Sequence, residues 1–221
     1  MLRTAIVIST LASFTAVASA SVTGTFTFGG NTTPTNQTPT WNMTADTLGG
    51  FSVLRFVPDN LMSFSSYTDL SYTYDMLLGG IGGGSPRVVI VLDTNNNNVS
   101  DGGDGFINLF WGPSPGFVDN TLGTGLTTGN LLALTDNGRY DLSPMGGSPF
   151  TDRAAALALA GGYNVLRFSL ILDTYVGAMQ GSAGGDNREL VITGVSADGV
   201  PAPAAAAVLG LGGLIVGRRR R

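Results

Sequence analysis

The 221-residue chain contains no cysteine, no histidine and no lysine. Without cysteine, no disulfide can brace the fold and no thiolate can act as a nucleophile or bind zinc. Without histidine and lysine, imidazole general bases, Ser-His and Cys-His pairs, Ser-Lys dyads and Schiff-base chemistry are excluded. The fold must therefore be stabilised by packing and by any bound metal, and catalysis would have to use carboxylates.

Positive charge is scarce between the two ends of the chain. From Ser21 to Asp198 there are six arginines against fifteen acidic residues, which gives this part a net charge of −9. Binding to nucleic acid needs basic patches that neutralise phosphates, so this balance argues against it. The same balance favours solubility and the binding of cations.

The first twenty residues are typical of a secretory signal peptide. Arg3 supplies the charged start, residues 5–17 are apolar, and Ala18 and Ala20 flank Ser19 in a small-residue cleavage site. The apolar stretch is shorter than the ~20 residues that a spanning helix needs. We expect cleavage after Ala20, and an uncleaved membrane anchor is the alternative.

The end of the chain combines a proline pair, an apolar segment and four arginines. Pro201 and Pro203 precede the apolar residues 204–217, whose fourteen residues would reach only about 21 Å at ~1.5 Å per residue. A transmembrane helix would need neighbouring residues as well, so we predict it over 202–217. Arginine crosses hydrocarbon with difficulty, which would keep the terminal cluster cytoplasmic and the preceding domain outside. The cluster consists of Arg218, Arg219, Arg220 and Arg221.

This tripartite tail, residues 199–221, resembles the PEP-CTERM sorting signal of exported bacterial proteins, which an exosortase recognises. Ala202 stands where that signal has Glu. The resemblance implies a protein that is anchored in the inner membrane during sorting and then released to the cell envelope or an extracellular polysaccharide matrix. It also implies the exosortase-type machinery and the membrane as partners. An ordinary tail anchor is the alternative.

The remaining residues, 21–198, fit one domain with a sizeable core. Their apolar side chains come in short, alternating runs that indicate strands: Leu70, Tyr72 and Tyr74 should face one way and the polar residues between them the other. The run 87–93 is apolar on both faces, so we expect it in the centre of a sheet, covered on both sides. The predicted strands are Val22 to Phe28, Gly50 to Val57, Tyr67 to Leu78, Arg87 to Asp93, Gly105 to Trp111, Asn130 to Thr135, Arg139 to Leu142, Asn164 to Asp173 and Glu189 to Val195.

The connections between these strands complete the expected fold. Asp136-Asn137-Gly138 predicts a hairpin turn between two short strands. A helix is predicted over 152–160, with Thr151 as its N-cap and two glycines as its stop. Residues 32–40 and the glycine-rich residues 79–85 are expected to be loops. The predicted fold class is all-β: a two-sheet antiparallel β-sandwich, jelly-roll-like, with one short helix.

A polar loop at residues 93–104 predicts a calcium site. Oxygen-bearing side chains occupy positions 1, 3, 5, 9 and 12 of a twelve-residue segment, a spacing that suits a hard cation. The spacing resembles the calcium loops of thrombospondin type 3 repeats and, less well, EF-hands. Asn98 stands where an EF-hand has Gly, and two amides replace carboxylates, which should weaken binding. A polar hairpin loop rich in turn formers is the alternative. The candidate ligands are Asp93, Asn95, Asn97, the main-chain carbonyl of Val99, Asp101 and Asp104.

Aromatic residues follow this loop in the chain. Phe110, Trp111 and Phe117, next to two prolines, can form a platform on which a sugar ring stacks, and the alternative is that they are core or loop anchors. Carboxylate catalysis remains chemically open, but Glu189 is the single Glu and no strand carries closely spaced acids. We therefore expect a non-catalytic structural or carbohydrate-binding module, calcium-stabilised and in contact with extracellular polysaccharide. A polysaccharide-acting hydrolase that uses an Asp pair is the alternative.

Overall fold

The computed structural model describes residues 20–34, 40–45, 50–82, 84–173 and 187–199. Within these residues the secondary structure is almost entirely strand, with one α-helix, α1 (Arg153–Ala160), and three short 3₁₀ turns. The strands are β1 (Ala20–Ser21), β2 (Gly24–Gly30), β3 (Thr33–Pro34), β4 (Trp41–Ala45), β5 (Phe51–Pro58), β6 (Tyr67–Leu78), β7 (Ile81–Gly82), β8 (Arg87–Leu92), β9 (Gly105–Phe110), β10 (Val118–Asp119), β11 (Gly123–Thr127), β12 (Tyr140–Asp141), β13 (Val165–Asp173) and β14 (Arg188–Gly199).

The strands form two six-stranded antiparallel sheets. The first sheet has the order β11-β6-β14-β4-β3, and β1 also pairs with β14. The second sheet has the order β12-β9-β8-β13-β5-β2, and β7 pairs with β10 in a separate ribbon. Consecutive strands often lie in different sheets, so the chain crosses repeatedly between them. The prediction of an all-β fold with two antiparallel sheets and one short helix is confirmed for the described residues.

The core lies between the inner faces of the two sheets. In β6 the predicted alternation is confirmed, because Leu70, Tyr72 and Tyr74 are buried while the residues between them are more exposed. Tyr67 of the first sheet meets Phe168 of the second in an edge-to-face contact, with ring centroids 5.0 Å apart and planes at 80°. Such aromatic pairs add to the burial of apolar area that stabilises the sandwich.

Strand β8 is central in the second sheet, between β9 and β13, as predicted. Val88 and Ile90 point into the core, whereas Val89 and Val91 lie on the outer face. The prediction that β8 is covered on both sides is confirmed at Val91, which is buried, and is wrong at Val89, which is half-buried. Val89 and Val91 line an open groove there, and only the side chains of adjoining strands and loops shield them.

The prediction of a strand at 130–135 is wrong. Residues Leu131–Ala133 form a 3₁₀ turn, because the side-chain oxygen of Asn130 accepts a hydrogen bond from the backbone N–H of Leu132, at 3.0 Å. An Asn that caps a turn in this way competes with strand formation. Gly138 does adopt a positive φ of 89°, but the turn joins no pair of strands. The predicted strand at 139–142 is shortened to β12.

Other boundaries also differ from the prediction. Helix α1 begins one residue later than expected, because Asp152 is the N-cap and accepts a hydrogen bond from the N–H of Ala155, at 2.9 Å. Thr151 instead pairs with Tyr140 in an isolated bridge. Strands β4 and β11 were not predicted, and the short strands β3 and β7 fall within segments expected to be loops.

Candidate ligand-binding groove

The outer face of the second sheet carries a groove with a volume of about 820 Å³. Its floor is formed by β8, β9 and β13, and its sides by β12 and by loops that bring in residues distant in sequence. The side chains that give it its chemistry are Arg87, Val89, Val91, Phe106, Asn108, Phe110, Asp141, Phe150 and Arg167. We refer to this surface as the groove.

Strand alternation places these side chains on one face. In β9, Ile107 and Leu109 point into the core, so Phe106, Asn108 and Phe110 point outward. Antiparallel register sets each beside a residue of β8: Phe106 is opposite Val91, Asn108 opposite Val89 and Phe110 opposite Arg87. The floor therefore combines one apolar pair with two pairs that each join an apolar and a polar residue, and a mostly apolar lining with a few polar groups is the composition expected of a small-molecule site.

Phe150 lines the groove, and its backbone has a conformation that residues other than Gly rarely adopt. Its φ is +54°, in the left-handed region, and its carbonyl accepts a hydrogen bond from the N–H of Gly138, at 3.1 Å. The ring stacks on that of Phe110, with centroids 6.2 Å apart, yet it stays 43% exposed. A strained backbone of this kind costs about 1–3 kcal/mol and tends to occur at functional sites. The observation favours a role for Phe150 in binding.

Hydrogen bonds fix the polar groups of the groove. Asn108 Nδ2 donates to Asp141 Oδ2 at 3.3 Å, and Asp141 Oδ1 accepts from both the backbone N–H and the hydroxyl of Ser143, at 3.0 and 2.6 Å. Arg87 Nη1 forms an ion pair with Asp173 at 2.6 Å. Groups held in this way lose little freedom when a ligand binds, so the groove is preorganised.

The structure separates the three aromatic residues that were predicted to form one platform. Phe110 lies in the groove beneath Phe150. Trp111 points the opposite way and is only 6% exposed, with its ring centroid 5.5 Å from that of Tyr72 and 4.9 Å from that of Tyr74. Trp111 is therefore a core residue, as in the alternative interpretation.

Phe117 is half-buried and packs on Gly112, where a Cβ atom would collide with its ring. Phe117 does not line the groove, and it lines instead a cleft beside β7 whose volume is much smaller. Phe106 and Phe150 were not predicted. The alternation in β9 could have identified Phe106, but no sequence signal pointed to Phe150.

The loop at 93–104 forms one rim of the groove, through Asp101, Gly102 and Asp104. Asp93 is only 1% exposed, and its two carboxylate oxygens accept hydrogen bonds from the N–H groups of Asn97 and Asn98, each at 3.0 Å. Asn98 adopts a φ of +59°, the left-handed conformation that Asn tolerates. Asp93 therefore holds the loop in its tight turn.

Asp101 is the centre of a second set of hydrogen bonds in this loop. It accepts from the N–H of Gly103 at 2.7 Å and from the side-chain amides of Asn97 and Asn95, at 2.6 and 3.2 Å. The bond from Gly103 and then the bond from Asn97 lower the pKa of Asp101. Asp104 accepts from the N–H of Asp101 at 2.7 Å, while its other carboxylate oxygen is buried without a partner.

Hydrogen bonds within the loop link four of the candidate calcium ligands, Asp93, Asn95, Asn97 and Asp101. In the residues described, no group of three or more carboxylates is close enough to hold a metal ion. Calcium would require the amides of Asn95 and Asn97 to turn, so that their oxygens replace the N–H groups that now face Asp101. The carbonyl of Val99 and the rest of the ligand set stay a prediction.

The predicted targeting residues are mostly outside the described part of the chain. Ala18, Pro201, Pro203 and residues 218–221 belong to the undescribed ends, and Ala20 pairs with Gly199 where β1 meets β14. No helix in the part of the chain that the structure describes is long and apolar enough to cross a membrane.

Comparison of the sequence with models of known families gives no match, and comparison with curated proteins gives none either. A solved structure described as "Structure of PfGH50B" is similar to this chain, with a TM-score of 0.34 and 13% sequence identity. The similarity covers 84% of this chain and 24% of that chain. This chain thus spans about a quarter of the other protein, and a TM-score this low carries no argument about function.

Proposed function

We propose that the domain is a non-catalytic carbohydrate-binding module of jelly-roll-like topology, and that the groove is its binding surface. The observation that carries the proposal is the pairing of solvent-exposed aromatic rings with fixed polar groups on one face. Phe106 is 41% exposed and Phe150 43%, and both line the groove together with Asn108 and Asp141. Aromatic rings offer flat apolar surface to a sugar ring, while the amide and the carboxylate can bond its hydroxyls.

A hydrolase is the second candidate, because Asp101, Asp104 and Asp141 also line the groove. A glycosidase needs one carboxylic acid whose pKa is raised, so that it can protonate the leaving group. The pKa of Asp101 is instead lowered by its hydrogen bonds, so this side chain suits a permanent carboxylate better than a general acid. We therefore propose binding without turnover.

A glycan array run in parallel with turnover assays tests the proposal. We expect binding without product, and we expect Phe106→Ala to abolish binding while the melting temperature changes little. Phe28→Ala is the matched control, because Phe28 is a similarly exposed phenylalanine on β2 of the same sheet and is not part of the groove lining. Product that disappears in Asp141→Asn would support the hydrolase instead, and binding unaffected by Phe106→Ala would remove the groove from the function.

We also propose that the 93–104 loop binds calcium weakly and thereby orders the rim of the groove. Affinities of about 0.1–1 mM are usual for extracellular calcium modules, and saturation at about 100 times the dissociation constant adds about 2.7 kcal/mol to stability. Thermal unfolding with chelator and with calcium should show this gain in the wild type, and Asp101→Asn should lose it.

Asp93→Ala is a poor test of this site, because Asp93 also holds the loop without metal and its loss should destabilise both forms. Superimposable melting curves of the wild type with chelator and with calcium would show that the loop is a polar turn with no metal.

For localisation, we propose export through the N-terminal signal peptide and sorting through the C-terminal tail to the envelope or matrix. The support is the sequence pattern of the two ends. N-terminal sequencing of exported material should start at Ser21, and replacement of Arg218 to Arg221 by neutral residues should mislocalise the chain. Retention of residues 1–20 would refute cleavage, and unchanged fractionation after the arginine replacement would refute the role of the cluster.

A further inference from the structure

On the outer face of the second sheet, the side chains of Arg55 on β5 and Arg167 on β13 have no hydrogen-bond partner among the described residues. The Nε of Arg167 is buried without an acceptor, and its side chain lines the groove. The other described arginines donate to carboxylates or backbone carbonyls: Arg87, Arg139, Arg153 and Arg188. In a domain with a large excess of acidic residues, two unpaired guanidinium groups are an exception that packing does not explain.

Arg55 and Arg167 are diagonal neighbours on adjacent strands, because Arg55 pairs with Ser169, which lies two residues from Arg167 on the same face of β13. The guanidinium of Arg55 lies over Gly29 of β2, where a Cβ would stand 3.3 Å from its Nη1. Burial is the main cause that lowers the pKa of Arg167, the charge of Arg55 lowers it further, and Asp104 acts in the opposite direction. Asp104 forms no ion pair with Arg167, since the ion pairs among the described residues are Arg87 with Asp173 and Arg139 with Asp136.

The free protein therefore keeps two like charges close together and partly removed from water, an arrangement that an anion would relieve. Guanidinium groups bind carboxylates and sulfate-like anions through paired N–H donors, and the bonds strengthen where water is excluded. Across the groove, Asp141 on β12 lies three strands from β13, roughly 14 Å at ~4.8 Å per strand. The β13 side of the groove thus carries Arg167, with Arg55 beside it on β5, while Asp141 stands on the β12 side and Asp101 and Asp104 on the loop rim.

We propose, resting on the carbohydrate-binding role proposed above, that the ligand is an acidic polysaccharide. Its carboxylate or sulfate groups bind Arg167 and Arg55, its rings contact Phe106 and Phe150, and neutral hydroxyls face Asp141. The acidic residues around the groove then contribute specificity, because they repel an acidic chain unless its anionic groups are placed on the two arginines.

Affinity electrophoresis in gels that contain one polysaccharide each tests the proposal. The probes are polygalacturonate for carboxylates, dextran sulfate for sulfate esters, and dextran as the neutral chain. We expect the wild type to bind at least one acidic probe about tenfold or more tightly than dextran. A difference of this size is what one charge-assisted hydrogen bond contributes to binding. Arg167→Gln should remove that preference, Arg167→Lys should keep part of it, and Arg55→Gln should reduce it. Higher salt should weaken binding of the wild type more than that of Arg167→Gln.

Thr124→Glu is the matched control, because it changes the net charge by the same amount at an exposed position on β11 of the first sheet. If it lowers acidic binding as much as Arg167→Gln does, the effect is one of overall charge and the proposal is overturned. Equal binding to dextran and the acidic probes, sensitive to Phe106→Ala, overturns the acidic ligand but leaves the binding groove intact. No binding to any polysaccharide overturns the groove's function and this inference together. The melting temperature of each variant shows that it is folded.

Discussion

The two faces of the second sheet are built from the same strands and have opposite roles. On the inner face, Ile90, Leu109 and Phe168 are fully buried against the first sheet. On the outer face, Val89 and Asn108 are half-buried and face the groove. The period of two in each strand sends every second side chain to either face, so neighbours in sequence divide between stability and recognition. The two properties should therefore be separable by mutation.

Alkaline pH should have the largest effect on folding stability, and it tests how dry the inner face of the sandwich is. Burial raises the pKa of Tyr140 to about 12, and it also raises the pKa of Tyr67 and of Tyr72. Unfolded tyrosines ionise near pH 10, so this stability is fully present below pH ~10 and is lost as pH rises towards the folded values. Each buried tyrosine should cost about 1.4 kcal/mol per pH unit above ~10.

Urea denaturation from pH 8 to 11.5 measures this loss, and the phenolate absorbance of these three buried tyrosines should appear together with unfolding. A folded protein whose tyrosines all ionise near pH 10 would show that the core side of the comparison is open to solvent.

A matched pair of truncations tests the two faces directly. Phe168→Ala removes a buried ring that contacts Phe56 and Tyr67, so it should cost about 3–5 kcal/mol of unfolding free energy. Phe106→Ala on the outer face should cost less than about 1 kcal/mol, because much of its ring is already exposed. Chemical denaturation of both variants measures the two losses of unfolding free energy. Losses of similar size would mean that the outer face is also part of the stabilising core.

The strain at Phe150 provides a smaller and more specific test. Phe150→Gly and Phe150→Ala both remove the ring, but only glycine accepts a φ of +54° without a penalty. The Gly variant should be more stable than the Ala variant by about 1 kcal/mol, the cost of the left-handed conformation. Sugar binding should be weakened in both. Equal stability of the two variants would show that the backbone relaxes in the free protein.

The smallest effect concerns helix α1, which buries Ala156 and Ala160 in the hydrophobic core. Asp152→Ala removes the N-cap and should cost about 1 kcal/mol. Thr151→Ala should cost much less, because the bonds between Thr151 and Tyr140 are made by the backbone. The opposite ranking in urea denaturation would restore Thr151 as the cap.

The fold could be predicted where burial imposes a simple period. The alternation in β6 and the apolar run of β8 fixed their strand character, since no helix would bury those side chains on one side. The strand prediction for residues 130–135 failed because an apolar run does not show whether a neighbouring side chain caps a turn. Here Asn130 provides such a cap. Strand β4 has the same alternation of apolar and polar residues as β6, at Trp41, Met43 and Ala45, but it is only five residues long.

The groove could be predicted much less well. Its parts come from strands and loops that lie far apart in sequence, and they meet only when the second sheet is assembled. Phe110 was identified as a candidate, but the aromatic next to it, Trp111, was grouped with it although alternation sends the two to opposite faces. Arg167 and Phe150 became candidates only through burial without a partner and a positive φ, and neither property is visible in a sequence.

The pairing of Ala20 with Gly199 has a mechanical consequence. In the precursor, before cleavage after Ala20 removes the first of these pairs, the chain enters and leaves the sandwich at the same end of the same pair of strands. A pulling force between the two segments that flank the domain then acts first on β1 and β14. Antiparallel strands pulled apart from one end unzip one hydrogen bond after another, which offers little resistance. The strands of the second sheet carry none of this initial load, so tension along the chain would open that seam before it deforms the groove.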